Sequence, residues 1–322
     1  MRDYIIRRLL LTIPTLFAVT IIVFFTIRLI PGSAIDQMLA GHAGQAGQSA
    51  AHEVTAETLR HRLGLDLPIH IQYGRWIGAA LQGDLGKSLW TDIAVTDEIF
   101  QKLPVSIELG LLGIITALSI AFPVGIYSAM RQDTVGDYLA RSFAIACIAI
   151  PSFWVGTMVM VYPSIWWRWT PGIEFIPFLE HPLANLGQFI IPALILGMLM
   201  SGTTMRMTRT MMLEVLRQDY IRTAWAKGLK ERTVIMRHAL KNALIPVVTI
   251  VGMNIPVMVG GAVVLERIFA LPGIGNLLLD SISQRDYTIL SGVNLFVASS
   301  VLVINLVVDL TYAYLDPRIQ YR

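Results

Sequence analysis

The chain has 322 residues, of which 55% are hydrophobic and 15% charged, with a net charge of +3 and a mean hydropathy of +0.62. Soluble domains carry about 25% charged residues, so this composition excludes an ordinary soluble enzyme and points to a membrane protein. The single cysteine, Cys147, excludes an intrachain disulfide and any multi-cysteine metal or iron–sulfur site.

The apolar residues gather in six charge-poor windows, 9–27, 109–130, 142–167, 181–205, 242–265 and 287–308, each at least 19 residues long. At about 1.5 Å per residue, each is long enough to cross about 30 Å of hydrocarbon as a helix. Uninterrupted windows also exclude a membrane β-barrel, whose strands alternate at every second residue. The expectation is an all-α integral membrane protein with six transmembrane helices, at about 9–29, 105–130, 140–164, 184–207, 242–265 and 288–314. Arg7 and Arg8 precede the first window as they would in a signal peptide. Its apolar run is too long for one, however, and no small-x-small cleavage site follows, so a retained helix is expected.

Between the first two helices lies a long segment, 31–103. Within it, 40–53 is rich in Gly, Ala and Gln and reads as a flexible surface loop. The stretch "YGRWIGAALQ" has helical spacing and leads into "GDLGKS", whose last three letters end a nucleotide-binding P-loop. That loop needs G-x-x-x-x-G-K-[ST], so that backbone N–H groups wrap the phosphates. Five residues before Gly86 stands Leu81, Gly83 is too near, and no buried strand precedes. The stretch therefore reads as a glycine turn after an amphipathic helix. His61 and His70 of this segment, like His238 further on, read as surface residues.

Orientation follows from the basic residues. Arg2, Arg7 and Arg8 precede helix 1, Arg131 and Arg141 flank the next short loop, and Arg318 and Arg322 follow helix 6. The 206–241 loop holds nine Lys and Arg residues against three acids. Both termini and this loop are expected in the cytoplasm, and 31–103 outside.

In the membrane, Glu108 at the start of helix 2 and Glu266 at the end of helix 5 are expected at the external interface. Asp309 lies four residues after Asn305, on one helical face. It is either the acid of an ion-coupled carrier or a buried polar contact. Asn254 lines a path or bonds another helix, and with Met258, Asn305 and Asp309 it makes up the candidate translocation path. Gly252, Pro256, Gly260 and Gly261 suit close packing or a hinge. The methionines 198, 200, 205, 207, 211 and 212 read as adaptable packing. Between helices 5 and 6, "FALPGIGNLL" reads as a loop folding back toward the membrane.

The basic loop carries the most information. Its centre, 219–228, has the punctuation of a two-turn helix about 13 Å long. Asp219 is a candidate N-cap, and Gly228 ends the helix with Lys227 at the negative end of its dipole. Ile221, Ala224 and Trp225 share a side, and the small Thr223, Ala224 and Ala226 admit a close partner. A second amphipathic helix follows, with Val234, Ile235, Ala239 and Leu240 on one face. Pattern alone leaves two readings open: helices lying on anionic lipid, or a docking site for a protein.

The run Arg222-Thr223-Ala224-Trp225-Ala226-Lys227-Gly228 resembles the "EAA" loop of bacterial ABC importer permeases. Ala224 matches its second Ala, Gly228 its Gly, and Leu240 its later Leu. Arg222, Thr223, His238 and Lys241 depart from it. The version "DYIRTA-x-AKGL…RHAL-x-NALIP" is similar to the dipeptide and oligopeptide branch. So are "IIRRLLLTIPTLFAVTIIVFFTIRLIPG", "LGLDLPIHIQYGRWIGAALQGDLGKSL", "ERIFALPGIGNLLLDSISQRDY" and "NLVVDLTYAYLDPRIQYR". In this order they cover nearly the whole chain, which resembles a B-type permease subunit of that branch.

The resemblance implies a type I ABC importer permease fold in the bacterial cytoplasmic membrane. It implies as partners a second homologous permease subunit, two cytoplasmic ATPase subunits and an external solute-binding protein, beside membrane lipid and without nucleic acid. ATP and Mg would be bound by the ATPases, so this chain needs no cofactor and no catalytic residues. Tyr220 and its neighbours from Asp219 to Gly228 would form the helix that sits in an ATPase groove.

Overall fold

The computed structural model describes residues 2–28, 66–172, 174–260 and 262–315. The Gly/Ala/Gln-rich stretch 40–53 and His61 lie outside the described residues. Helix α1 is Arg2–Arg28, and α2 is the short amphipathic helix Ile69–Leu81. The long α3, Val95–Met130, precedes α4, Val135–Ala149, and α5, Ser152–Trp167. Another long helix, α6, is Pro182–Leu216. The short α7 is Asp219–Ala226. A helical turn, α8 at Glu231–Thr233, runs through a π-helical turn, Val234–Ala239, into α9, Leu240–Asn254. The remaining helices are α10, Val257–Gly260, α11, Val263–Ile268, α12, Ile274–Ser283, and α13, Tyr287–Leu315.

Among the described residues, four helices, α1, α3, α6 and α13, are each long and apolar enough to cross a membrane, and the number of spans rises to six when each of two bent pairs is counted as one. The bends correct two expected helices. The third window is not one rod, because α4 and α5 meet at 89°. Pro151 stands at the corner. It has no N–H to continue the ladder, and it drives Ile150 into the extended region, at φ −84° and ψ 121°. The fifth window is broken as well. The span turns by 48° where Glu231–Leu244 meets Pro246–Gly260, with Pro246 at the corner, and Pro256 precedes the separate turn α10.

Two other expected helices proved too short. The structure carries α6 to Leu216, well past the apolar window, because its last turns trade apolar faces for Arg206, Arg209 and Glu214 without losing helical propensity. It starts α3 at Val95, since Asp97 and Glu98 in its first turn suit the positive end of the helix dipole.

The centre of the molecule is the α3–α6 pair, which run parallel over most of their length. Leu109 and Ala117 of α3 pack with Phe189, Ala193, Leu196 and Met200 of α6, and Leu265, Phe269 and Leu271 close the cluster. The approach is so close that a Cβ on Gly197 would lie 2.5 Å from the Thr116 Cβ. Small residues at a helix interface are how membrane helices gain packing where lipid supplies no hydrophobic drive. Met200, Met205 and Met212 are buried packing residues in this arrangement. Outside it, Leu10, Ile13 and Ile22 of α1 are more than 60% exposed, as suits a helix whose outer face meets hydrocarbon.

At the end of the molecule opposite the basic loop, polar clasps stand beside an apolar cluster of Val95, Ile99, Ile274, Leu277, Ile289 and Val293. Asp286, 1% exposed, accepts from the Ser88 hydroxyl at 2.6 Å, the Leu89 N–H at 3.0 Å and the Ile289 N–H at 3.1 Å. The Trp90 indole N–H donates to the Gln284 carbonyl at 2.9 Å. Glu266, fully buried, accepts from the Ser106 hydroxyl at 2.8 Å and from the Asn276 N–H at 3.1 Å, and so caps the start of α12. Burial pushes its carboxyl above the usual carboxylate range, against the donors that face it.

"GDLGKS" is therefore a turn, with Gly83 at φ 84° and Gly86 at φ 85°, and its serine is committed to a structural clasp. "ERIFALPGIGNLL" is a helix–turn–helix held by Glu266. Of the two acids expected at the external interface, Glu266 is enclosed by protein, and Glu108 is half-buried beside Asn185 at 3.5 Å.

Candidate functional site

Helix α7 lies at the end of the bundle where α3 and α6 finish and α9 begins. Gln218, not Asp219, is its N-cap, in extended geometry and with no side-chain cap hydrogen bond. Asp219 is instead the first helical residue, exposed and 3.5 Å from Arg222. Its charge still favours the N-terminus through the helix dipole.

The C-terminus closes as a Schellman motif. The Gly228 N–H donates to the Trp225 carbonyl at 2.9 Å and the Leu229 N–H to the Ala224 carbonyl at 3.4 Å, with Gly228 left-handed at φ 72°. A Cβ there would meet nothing within 4 Å, so the glycine is needed for its backbone and not for space.

The inner face of α7 is fixed. Ile221, 0% exposed, and Ala224, 6% exposed, pack with Ala129 of α3, Met212 of α6, Val234 and Ala239 of the π turn, and Ala243 of α9. The Tyr220 hydroxyl accepts from the Asn242 side-chain amide at 2.8 Å. One eight-residue helix thus touches the ends of three long elements.

The outward residues are Arg222, Thr223, Ala226 and Lys227, all exposed, with Trp225 at the edge, 42% exposed. This corrects two expectations. Ala224 faces the bundle and is not part of a surface open to a partner, and Trp225 does not share the burial of Ile221. The next segment follows the expected face, with Val234 and Ala239 buried and Ile235 and Leu240 partly so. A π turn there replaces a regular helix and brings Val234 and Ala239 onto Ile221 together.

Behind α7 is an ion-pair network that sequence reasoning missed. Asp137, fully buried at the start of α4, accepts both arms of Arg209 of α6, at 2.8 and 2.7 Å. It also accepts from the Ser128 hydroxyl of α3 at 2.5 Å and the Asp133 N–H at 3.1 Å. The cluster clamps α3, α4 and α6 one to two turns from α7. A signal existed: Thr134 followed by Asp137 is an N-terminal helix signature, and Arg209 stands where the residues around it are turning into the core.

The candidate path residues do not converge. Met258 packs against α3, within 3 Å of where a Cβ on Gly110 would stand. Asp309 forms an ion pair with Arg8 of α1, and Asn305 is exposed. Asn254 is half-buried on α9, and no hydrogen bond joins these four side chains to one another. Asp309 is thus the polar contact between helices, and the ion-coupled carrier has lost its acid.

The organisation of this chain recurs in known proteins. Residues 121–321 match the family model of binding-protein-dependent transport system inner membrane components, and residues 1–110 match that family's N-terminal model. The chain is 36% identical over 345 residues to the dipeptide transport system permease protein DppB of Escherichia coli (strain K12), with all of both chains covered. It is 39% identical over 325 residues to the oligopeptide transport system permease protein AppB of Bacillus subtilis (strain 168), again with full coverage of both. Among solved structures, it resembles a chain of the inward-facing MetNI methionine ABC transporter. The TM-score is 0.55 at 14% identity, covering 68% of this chain and 96% of that one. This last likeness concerns the fold alone.

Proposed function

The chain belongs to the family of binding-protein-dependent transport system inner membrane components and is the permease subunit of an ABC importer, and from that premise we propose that α7 is the element through which an ATPase partner moves it. The observation that carries the proposal is the anchoring of α7. Its inner face is locked by Ile221 and Ala224 onto the ends of α3, α6 and α9, and its outer face of Thr223, Ala226 and Lys227 is open. A rigid helix held at three points transmits a rigid-body displacement, whereas a flexible loop would dissipate it.

The mechanism follows from this layout. Two cytoplasmic ATPases bind ATP and Mg and close on each other. One of them carries α7 with it, and the Asp137–Arg209–Ser128 clamp makes α3, α4 and α6 follow together. A second permease subunit of the same fold completes the translocation path, and an external solute-binding protein delivers the cargo. The bends at Pro151 and Pro246 are where the helices flex as the path opens. This chain binds no nucleotide itself and performs no chemistry.

The cargo belongs to the peptide class. The names of the full-length relatives, dipeptide and oligopeptide permeases, support this. The test is uptake of a labelled di- or oligopeptide by proteoliposomes holding the whole complex with the binding protein outside. Uptake is expected to need internal ATP and to survive an uncoupler. Uptake that continues without ATP and collapses with the uncoupler would overturn the reading.

A further inference from the structure

Between α3, α4 and α6, beside the Asp137 clamp, lies a cavity of about 290 Å³. Its wall is apolar, built from Ala144, Ile145, Ile148 and Met205, and its rim carries Arg141 and Arg206. We propose that this cavity is a binding site for one anionic phospholipid of the inner leaflet, with its phosphodiester held by Arg141 and Arg206 and part of an acyl chain against the α4–α6 wall.

Three observations meet here. The first is charge. The third arginine of the cavity, Arg209, is neutralised by Asp137, but no carboxylate among the described residues pairs with Arg141 or Arg206. Two guanidiniums on one cavity call for an anion, and a phosphodiester matches their planar forks.

The second is depth. Arg141 is four residues beyond Asp137 on α4, and Arg206 is three residues before Arg209 on α6. At about 1.5 Å per residue, both start roughly 5 Å to the membrane side of the clamp. From there the long side chains reach the headgroup level while their stems lie along apolar surface.

The third is the surroundings. Leu139 and Ile145 beside the cavity are 66% and 64% exposed, which suits a wall covered by lipid chains. The clamp leaves no free carboxylate oxygen for an ammonium headgroup, because Asp137 already accepts from Arg209, Ser128 and the Asp133 N–H. The site therefore selects anionic over zwitterionic lipid. Basic pockets between helices on the cytoplasmic side are a known way of holding anionic headgroups.

The test uses the intact purified importer in nanodiscs or detergent, read by native mass spectrometry while phosphatidylglycerol is titrated against phosphatidylcholine. Retention of phosphatidylglycerol on this subunit is expected to fall about tenfold or more in Arg141→Gln/Arg206→Gln and to recover in part in Arg141→Lys/Arg206→Lys. Ile145→Trp, which fills the wall without touching the rim, should also reduce it. Equal retention in wild type and the Gln pair would overturn the site. So would full displacement of the lipid by millimolar inorganic phosphate, which would make it a free-anion site. Efficient cross-linking of Ile145→Cys to the second permease subunit would also overturn it, since a protein would then fill the cavity.

Discussion

Removing the Asp137 carboxylate should be the most damaging single change to the cytoplasmic end of the molecule. In Asp137→Ala, Arg209 keeps its charge with its side chain only 18% exposed and loses both arms of a bidentate pair. Breaking a buried pair from one side costs about 3–5 kcal/mol. The Ser128 hydroxyl and the Asp133 N–H lose their acceptor as well, at about 1 kcal/mol or more each where water does not replace it. Arg209 keeps some exposure to water, so the lower part of that range, about 3 kcal/mol, is expected. Arg209→Met should cost a similar amount, because it strands a carboxylate that is fully buried. The double variant should be milder than either single one, since no unpaired charge remains. The assay is reversible unfolding of the full-length chain in mixed micelles with increasing dodecyl sulfate, followed by helical circular dichroism. Singles that each cost under about 1 kcal/mol and add in the double variant would refute the clamp as a coupled unit.

Other outcomes follow from the same geometry. Gly228→Val forces a β-branched residue into the left-handed region at a cost of about 1–2 kcal/mol. It should reduce peptide-stimulated ATP hydrolysis by the complex, while Gly228→Asn, which tolerates that backbone, should retain it. Ser88→Ala leaves the buried Asp286 without its nearest donor and should cost about 1–3 kcal/mol in the same unfolding assay, with no loss of ATPase co-purification. Glu266 carries a pH signature. Its folded carboxyl is raised by burial, so the folded state holds the proton to higher pH than the unfolded state. Stability should fall as pH rises through the interval between the two values, and Glu266→Gln should flatten that slope.

The spans and the basic loop were legible because hydrophobic length and charge asymmetry are local properties. The short helix α7 was legible for the same reason: Gly228 and Lys227 mark its end within a few residues. What stayed hidden depends on distant partners. Nothing near Ala224 says that it turns inward onto Met212 and Val234, because eight residues are too few to fix a face. The Asp137–Arg209 pair spans 72 positions and the Ser88–Asp286 pair 198, so neither shows as a spacing. The bends at Pro151 and Pro246 fall on prolines. Proline is tolerated inside membrane helices, however, as Pro104 and Pro123 are within α3, so residue type alone did not say which one turns the chain.

The central claim is that α7 meets an ATPase through its outer face while its inner face is locked to the bundle. Single cysteines on a Cys147→Ser background test it most directly, by cross-linking in the intact importer. Thr223→Cys and Ala226→Cys are predicted to cross-link to an ATPase subunit, with a yield that changes when ATP is added. Ile221→Cys, enclosed by the bundle, is predicted to give no ATPase product. Absence of any ATPase product from Thr223 and Ala226 in a complex that still transports would contradict the account.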